Sequence, residues 1–64
     1  MYYVINGYNA VTPVGTYCDV AYNKGEKTAL IKQYKEYLKN KELDMFKVAS
    51  YRDNGNLKAI ISYQ

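Results

Sequence analysis

Few side chains in this sequence could carry out chemistry. It contains no histidine, the commonest general base and neutral metal ligand in proteins. Its single cysteine, Cys18, therefore lacks the imidazole that usually activates a catalytic thiol. The local pattern of apolar residues predicts instead that Cys18 is a small hydrophobic residue buried on one side of a strand.

Carboxylates are the remaining candidates for acid–base work or metal binding. Glu42 and Asp44 are close enough in sequence to form a pair, but they belong to the polar connection Asn40–Asp44, where a solvated loop is the common explanation. The four glycines are scattered, so they do not form a phosphate-binding loop. We therefore expect a protein that is not an enzyme and that needs no cofactor or metal.

Length and composition favour one small globular domain, residues 1–64. The sequence is 48% hydrophobic and 23% charged, and a domain of this size buries only about 60% of its unfolded surface. That leaves little room for a small-molecule pocket, which typically has about 300–1,000 Å³. Because the sequence shows no signal peptide, no apolar run of membrane-spanning length and no pair of cysteines, we expect a cytoplasmic protein.

The C-terminal part of the sequence predicts a β-hairpin. Asn54-Gly55 joins Phe46–Asp53 to Asn56–Tyr63, and a type I′ turn there would place residues whose numbers sum to 109 opposite each other. One side of this hairpin is mostly apolar and is predicted to face the core, with the pairs Phe46–Tyr63, Val48–Ile61, Ser50–Ala59 and Arg52–Leu57. The other side is half-polar, with the pairs Lys47–Ser62, Ala49–Ile60 and Tyr51–Lys58.

The N-terminal part allows two interpretations. Asn6-Gly7 could form a tight hairpin between Tyr2–Ile5 and Tyr8–Val11, or Gly7–Gly15 could be one long loop before a strand at Thr16–Tyr22. The long loop is favoured because a proline soon follows the second run. The alternation within the later strand predicts that its even-numbered positions are buried, namely Cys18, Val20 and Tyr22.

A helix is predicted from Asn23 to about Asn40. Asn23 can cap it, and Glu26 stands at capping-box spacing. An apolar stripe follows one side of this helix and comprises Leu30, Tyr34, Tyr37 and Leu38. The fold class is therefore α+β in the order β-β-α-β-β, one helix on a four-stranded mixed or antiparallel sheet. This order resembles β-grasp domains, including the ubiquitin-like and immunoglobulin-binding types, and the resemblance implies the layout alone.

Positive charge is concentrated on the helix. Residues 24–41 hold six lysines and two glutamates, a net charge of +4, whereas the whole chain carries +3. A solvated helix face is the ordinary explanation of such a pattern. The functional alternative is a contact with an acidic partner or with a nucleic-acid backbone. The lysines that would make that contact are Lys24, Lys32, Lys35 and Lys39.

The sheet side away from the helix is the second candidate surface. Tyr51, Lys47 and Lys58, with Tyr17 and Tyr3, would form a basic and aromatic surface there. Such a surface suits base stacking on single-stranded nucleic acid, and it equally suits a protein interface. The helix lysines point the opposite way, so we expect protein binding through the sheet face or an exposed edge strand. The predicted protein-binding residues are Tyr17, Tyr51, Lys58 and Lys47.

The nine tyrosines can be explained by recognition or by the codon bias of an AT-rich genome. Small proteins rich in tyrosine, lysine and asparagine are typical of phages and mobile elements of AT-rich bacteria. By that association we expect a non-catalytic inhibitor or adaptor that docks on a host macromolecule, preferably on an acidic protein surface. Nucleic-acid binding is the first alternative. A homodimeric structural protein that associates through a sheet edge is the second.

Overall fold

The computed structural model describes residues 1–11 and 17–64. It contains four strands and one helix: β1 (Tyr2–Tyr8), β2 (Tyr17–Ala21), α1 (Lys24–Lys39), β3 (Met45–Tyr51) and β4 (Leu57–Tyr63). The strands form one sheet in the order β2-β1-β3-β4, and each neighbouring pair is antiparallel. The predicted α+β fold, one helix on a four-stranded sheet, is confirmed, and of the two sheet types the antiparallel one is present.

The strand order makes β1 the centre of a split β-α-β unit. Since β2 and β3 are both antiparallel to β1, they run in the same direction on either side of it, and α1 connects them. No two neighbouring strands in the described parts of the chain are parallel. The resemblance to β-grasp domains therefore holds for the element order and not for the parallel pairing at the centre of those domains.

Asn6-Gly7 lies inside β1 and does not form a turn. The strand continues to Tyr8, and a Cβ atom at Gly7 would lie 2.6 Å from Cδ1 of Leu43, which packs over it. Glycine is therefore needed here for close approach and not for a turn. The tight-hairpin alternative is wrong. The predicted loop Gly7–Gly15 starts later than predicted, after Tyr8. Residues 12–15 of this loop lie outside the described residues, and so does residue 16, the predicted first residue of the next strand.

Local signals set the start of α1 as predicted. The side-chain oxygen of Asn23 accepts a hydrogen bond from the Glu26 amide at 2.8 Å, as an N-cap does. Glu26 Oε1 in turn accepts from the Tyr22 amide at 2.8 Å, so that two otherwise unsatisfied amides are paired. Helix α1 thus begins where the capping residues predict.

The end of α1 turns the chain back toward the sheet. The amide of Lys41 donates to the Leu38 carbonyl at 3.1 Å, and the amide of Glu42 donates to the Tyr37 carbonyl at 2.9 Å. This is the Schellman arrangement, in which the residue after the cap is left-handed. Lys41 has that conformation, with φ of 62°. The turn brings Leu43 onto β1.

The core lies between α1 and the side of the sheet formed by the odd-numbered residues of β1. Tyr34 is the buried centre of the predicted helix stripe, and its ring centroid lies 5.5 Å from that of Phe46 on β3. The remaining stripe residues pack partly buried around it, as predicted, and Ile31 joins them. The buried core residues are Tyr3, Ile5, Ala21, Tyr34, Leu43, Phe46 and Val48.

The predicted burial of β2 is wrong, because its sides are reversed. The register pairs Ile5 with Asp19 and Tyr3 with Ala21, so the odd-numbered residues of β2 face α1. Cys18 is exposed, and Val20 and Tyr22 are 43% and 73% exposed. Pairing with β1 decided the orientation, and the polar Asp19 is tolerated on the helix side because it accepts a hydrogen bond from the Tyr34 hydroxyl at 2.8 Å.

The C-terminal hairpin has the predicted register except at its turn. Five pairs agree, from Phe46–Tyr63 to Ser50–Ala59, but a bulge then places Leu57 opposite Tyr51. The predicted pairs Arg52–Leu57 and Tyr51–Lys58 are therefore wrong. The Gly55 amide donates to the Arg52 carbonyl at 2.8 Å, and Gly55 is left-handed with φ of 87°. Because Asn54 does not share that conformation, the loop is a turn with a glycine bulge and not type I′.

Helix α1 covers only part of the sheet. It lies over β2 and β1, with Tyr34 reaching Phe46 on β3. Ile61 shares the helix side with its partner Val48, and yet it is 54% exposed. The prediction that this side of β4 is core is thus wrong for Ile61, and it holds only in part for Tyr63, whose ring stacks on Phe46 at 4.6 Å.

Candidate binding surface

The side of the sheet away from α1 has no element packed on it among the described residues, and we call it the open face. Strand alternation and the pairing register define it, since paired residues share a side of the sheet. Its members are Tyr2, Val4, Asn6, Tyr8, Cys18, Val20, Met45, Lys47, Ala49, Tyr51, Leu57, Ile60 and Ser62.

An apolar row crosses the middle of the open face. Val4 on β1 pairs with Val20 on one side and with Ala49 on the other, and Ala49 pairs with Ile60. Val20 and Ile60 are 43% and 54% exposed. Four aliphatic side chains thus form a continuous strip across all four strands, and its two ends lie on the two edge strands.

An aromatic pair borders this row on one side. The rings of Tyr2 and Tyr51 stack with their centroids 5.0 Å apart and their planes within 10°. The N-terminal ammonium group pairs with Asp53, just beyond this end of β3. The stack is therefore built from the first strand and the end of the third, and one face of each ring is occupied by the other ring.

A polar row borders the apolar row on the other side. It runs from Cys18 through Asn6 and Lys47 to Ser62. Lys47 is its only charge, and Nζ of Lys47 lies 5.8 Å from the centre of the Tyr8 ring, a cation–π contact. None of the described residues of the open face carries a carboxylate.

The structure brings together only part of the predicted protein-binding set. Tyr51 and Lys47 lie on the open face, and Lys58 is the exposed extra residue of the neighbouring bulge. Tyr17 lies on the helix side, with its ring 5.4 Å from that of Tyr37. Tyr3 also lies there, 3% exposed under the ammonium group of Lys27. These last two placements are corrections, and both follow from the register of β1 and β2.

Sequence reasoning missed most of the open face. Tyr2, Val4 and Tyr8 follow the alternation of β1, but Asn6-Gly7 suggested that this strand ended early. The prediction placed Val20 in the core, and it paired Ile60 with Ala49 on a half-polar side without Val4 and Val20 beside them. Continuous alternation through Tyr8 was the signal that could have found the β1 residues.

The helix lysines lie apart from the open face. Lys24, Lys32, Lys35 and Lys39 are all exposed on α1, as predicted. Of these four, Lys35 and Lys39 border a groove of about 630 Å³ near the end of α1. Nζ of Lys35 lies 5.5 Å from the centre of the Tyr63 ring at this groove. The groove is lined by Lys35, Leu38, Lys39, Lys41, Leu43, Asp44, Tyr63 and Gln64.

Tyr34 is the titratable group whose environment shifts its pKa clearly. Burial is the main cause, and the hydrogen bond to Asp19 adds to it, so that the pKa of Tyr34 is raised well above its usual value. The side chain sits in the core and borders neither the open face nor the groove. Its pKa shift therefore reflects packing, and it does not mark a catalytic site.

Other signatures of function were sought in residues 1–11 and 17–64. This part of the chain holds no group of three or more side chains that could bind a metal ion. It also has no helix long and apolar enough to cross a membrane. Comparison with protein-family models, curated proteins and solved structures finds no match. Since a fold does not by itself imply a function, the surfaces carry the functional argument.

Proposed function

We propose that this chain is a small non-catalytic protein-binding module that docks on another macromolecule through its open face, as an inhibitor or adaptor. The observation that carries the proposal is the apolar row Val20–Val4–Ala49–Ile60, which crosses the sheet without a covering element in the described chain. An exposed apolar strip with a polar border is the usual anatomy of a protein interface.

The chemistry of the open face favours a protein partner over nucleic acid. Base stacking needs free ring sides, and the stacking of Tyr2 on Tyr51 leaves only one side of each ring for it. The centre of the face is aliphatic, and Lys47 is its one cation. The helix lysines that could follow a phosphate backbone lie on the opposite side of the molecule.

The same face indicates the chemistry of the partner. Its centre fits an apolar patch, and tyrosine and methionine at its border are residues that interfaces favour. Because Lys47 and nearby Lys58 have no carboxylate beside them on this face, an acidic group on the partner would complement them. A cytoplasmic partner, and an origin in a phage or mobile element, belong to this proposal on the composition alone.

Affinity capture with the original chain and with variants of the open face as baits tests the proposal. Immobilised chain and its Lys47→Glu and Tyr51→Ala variants are incubated with lysate of the source cells, and the retained proteins are identified by mass spectrometry. We expect a protein retained by the original chain to be lost at least tenfold with both variants, since each removes an anchor of the open face.

Lys32→Glu is the matched control, because it reverses a lysine exposed on α1. It should retain the partner at the original level. Circular dichroism of all baits checks that the fold is intact. Capture that survives both open-face variants, or that fails equally with Lys32→Glu, would refute docking through this face.

Nucleic-acid binding is the second candidate function, and one observation favours it. Lys35, Lys39 and Lys41 line the groove beside the Tyr63 ring, so cations and an aromatic side chain meet there. That combination can hold a phosphate backbone and stack a base. It stands second because the groove contains also the carboxylate of Asp44 and only one ring.

A further inference from the structure

Strand β4 is an exposed sheet edge with an apolar surface on both of its sides. It pairs with β3 alone, and six of its seven residues are exposed. Leu57, Ile60 and Ile61 are 51%, 54% and 54% exposed. An edge of this length presents a row of unpaired backbone groups, which is a template for another strand.

The two edges of the sheet differ in their protection. Edge strand β2 has five residues and includes the charged Asp19. Edge strand β4 has seven residues, LKAIISY, with Lys58 as its one charge and no proline or glycine. Proteins usually protect edges with short strands, charges, bulges or proline. In β4 the charge and the bulge both lie at Lys58, so Ala59–Tyr63 has none of these devices.

We propose that β4 pairs antiparallel with β4 of a second copy, with the two-fold axis at Ile60, to form an eight-stranded sheet. In this register Lys58–Ser62 of the two copies overlap, and Ile60 lies opposite Ile60 of the second copy. The other pairs are Lys58 with Ser62 and Ala59 with Ile61, each formed twice by symmetry. Leu57 lies beyond the bulge at Lys58 and stays outside the paired segment. Lysine does not face lysine, so the strand is complementary to itself.

The rest of the fold accommodates this contact. Helix α1 packs mainly over β2 and β1 and reaches β4 at Tyr63, where Lys35 contacts the ring, so the exposed edge of β4 is left uncovered. On the helix side, Ile61 packs beside Ala59 of the second copy, which covers a residue that is half exposed in the monomer. On the open face, the apolar row of one copy continues through Ile60 into that of the other. The dimer therefore doubles this row.

The size of the contact sets its strength. The five paired residues span about 17 Å, and a sheet is about 10 Å thick, which gives roughly 170 Å² of contact. Stable complexes bury about 800 Å² per partner. The dimer is thus weak, and only high protein concentrations should populate it. It is independent of the proposed docking, whose test uses Lys47 and Tyr51.

Sedimentation equilibrium from about 5 to 500 µM tests the association. We expect the average mass to rise toward twice that of the monomer across this range. Ile60→Lys places two lysines face to face on the axis and should keep the chain monomeric throughout. Val20→Lys makes the same change on the other edge strand and should leave the association unchanged. A monomer at 500 µM, or dissociation by Val20→Lys alone, overturns the proposal.

Disulfide trapping tests the register, and Cys18→Ser first removes the native exposed thiol. In this background Ile60→Cys places two Cα atoms about 5 Å apart, within disulfide range. Lys58→Cys places them four residues, or about 14 Å, apart. Oxidation with copper phenanthroline should crosslink the first variant at least tenfold faster. Equal crosslinking of the two variants, or none, overturns the register with its axis at Ile60. The edge of β4 would then remain available for pairing with a different segment.

Discussion

At the scale of single residues, the hydroxyl of Tyr34 is the polar contact inside the aromatic core. Its ring packs against Tyr37 and Phe46, and its hydroxyl group donates a hydrogen bond to the Asp19 carboxylate at 2.8 Å. The hydrogen bond links the middle of α1 to β2, and it explains how a carboxylate is accommodated on the helix side of the sheet. One buried hydroxyl thus connects the helix to β2, whose orientation is set by its register with β1.

Tyr34→Phe should reveal this role through the pH dependence of stability. Burial and the Asp19 hydrogen bond raise the pKa of Tyr34 above the value of about 10 that it has in the unfolded chain. Its neutral form therefore contributes stability that is complete below about pH 10 and is lost as the pH rises further. At pH 7, loss of the hydrogen bond should cost about 1 kcal/mol, or roughly 4–8 °C in Tm.

Thermal denaturation at pH 7 and between pH 9 and 12 measures both effects. The difference in Tm between the original chain and Tyr34→Phe should shrink above pH 10, because the hydroxyl then ionises on unfolding. Tyr22→Phe removes a hydroxyl from an exposed tyrosine and should follow the original chain at every pH. Parallel alkaline profiles for the original chain and Tyr34→Phe would contradict the role of Tyr34.

At the scale of elements, the sequence correctly predicted the features that depend on residues close together in the chain. The cap at Asn23 and the stripe around Tyr34 gave the helix correctly, because caps and periodicity act within a few residues. The register of five pairs in the C-terminal hairpin also followed from the sequence. Its turn did not, because Asn-Gly can close a loop of two residues or one of three.

The errors arose where tertiary contacts decide the structure. The orientation of β2 depends on its register with β1, and alternation within β2 alone pointed the wrong way. On the open face, the hairpin register predicted Lys47, Ala49, Tyr51, Ile60 and Ser62. The members from β1 and β2 were missed because those two strands were misread. Gly7 is the clearest example, because the need for glycine at this position comes from its close contact with Leu43, which is distant in the sequence.

Gly7→Ala should destabilise the fold, because β1 and the segment after α1 meet at this residue. The new Cβ atom would lie 2.6 Å from Cδ1 of Leu43 and 3.0 Å from Cβ of Tyr17. Overpacking of this kind costs about 1–3 kcal/mol. Urea denaturation should therefore show a lower midpoint with an unchanged slope.

Gly25→Ala is the matched control for this substitution. Gly25 lies in α1, and the closest atom to its new Cβ would be the Asn23 side-chain oxygen at 3.3 Å. Alanine is favoured over glycine within a helix, so the midpoint should stay the same or rise. A Gly7→Ala variant as stable as the original chain would show that Leu43 does not need the space at Gly7.

At the scale of the whole molecule, three surfaces point in different directions. The helix side carries the lysines, the open face carries the apolar row, and the β4 edge carries unpaired backbone groups. The charge excess of residues 24–41 is thus separated from the aromatic and aliphatic residues by the thickness of the domain. Several lysines and an aromatic ring meet at the groove beside Tyr63, whereas the open face brings Lys47 alone to the Tyr8 ring.

This separation predicts how the chain behaves toward nucleic acid. We expect no submicromolar binding to labelled single-stranded or duplex oligonucleotides at 50 mM salt, measured by fluorescence anisotropy. Contact of the four helix lysines with duplex phosphates would instead give a slope of log K against log salt of about −3.6. The variant Lys32→Glu/Lys35→Glu/Lys39→Glu is the control, and it should match the original chain if binding is absent. Tight binding that weakens between 50 and 200 mM salt and vanishes in that variant would replace protein docking with nucleic-acid binding, because only the lysine side of the molecule could account for it.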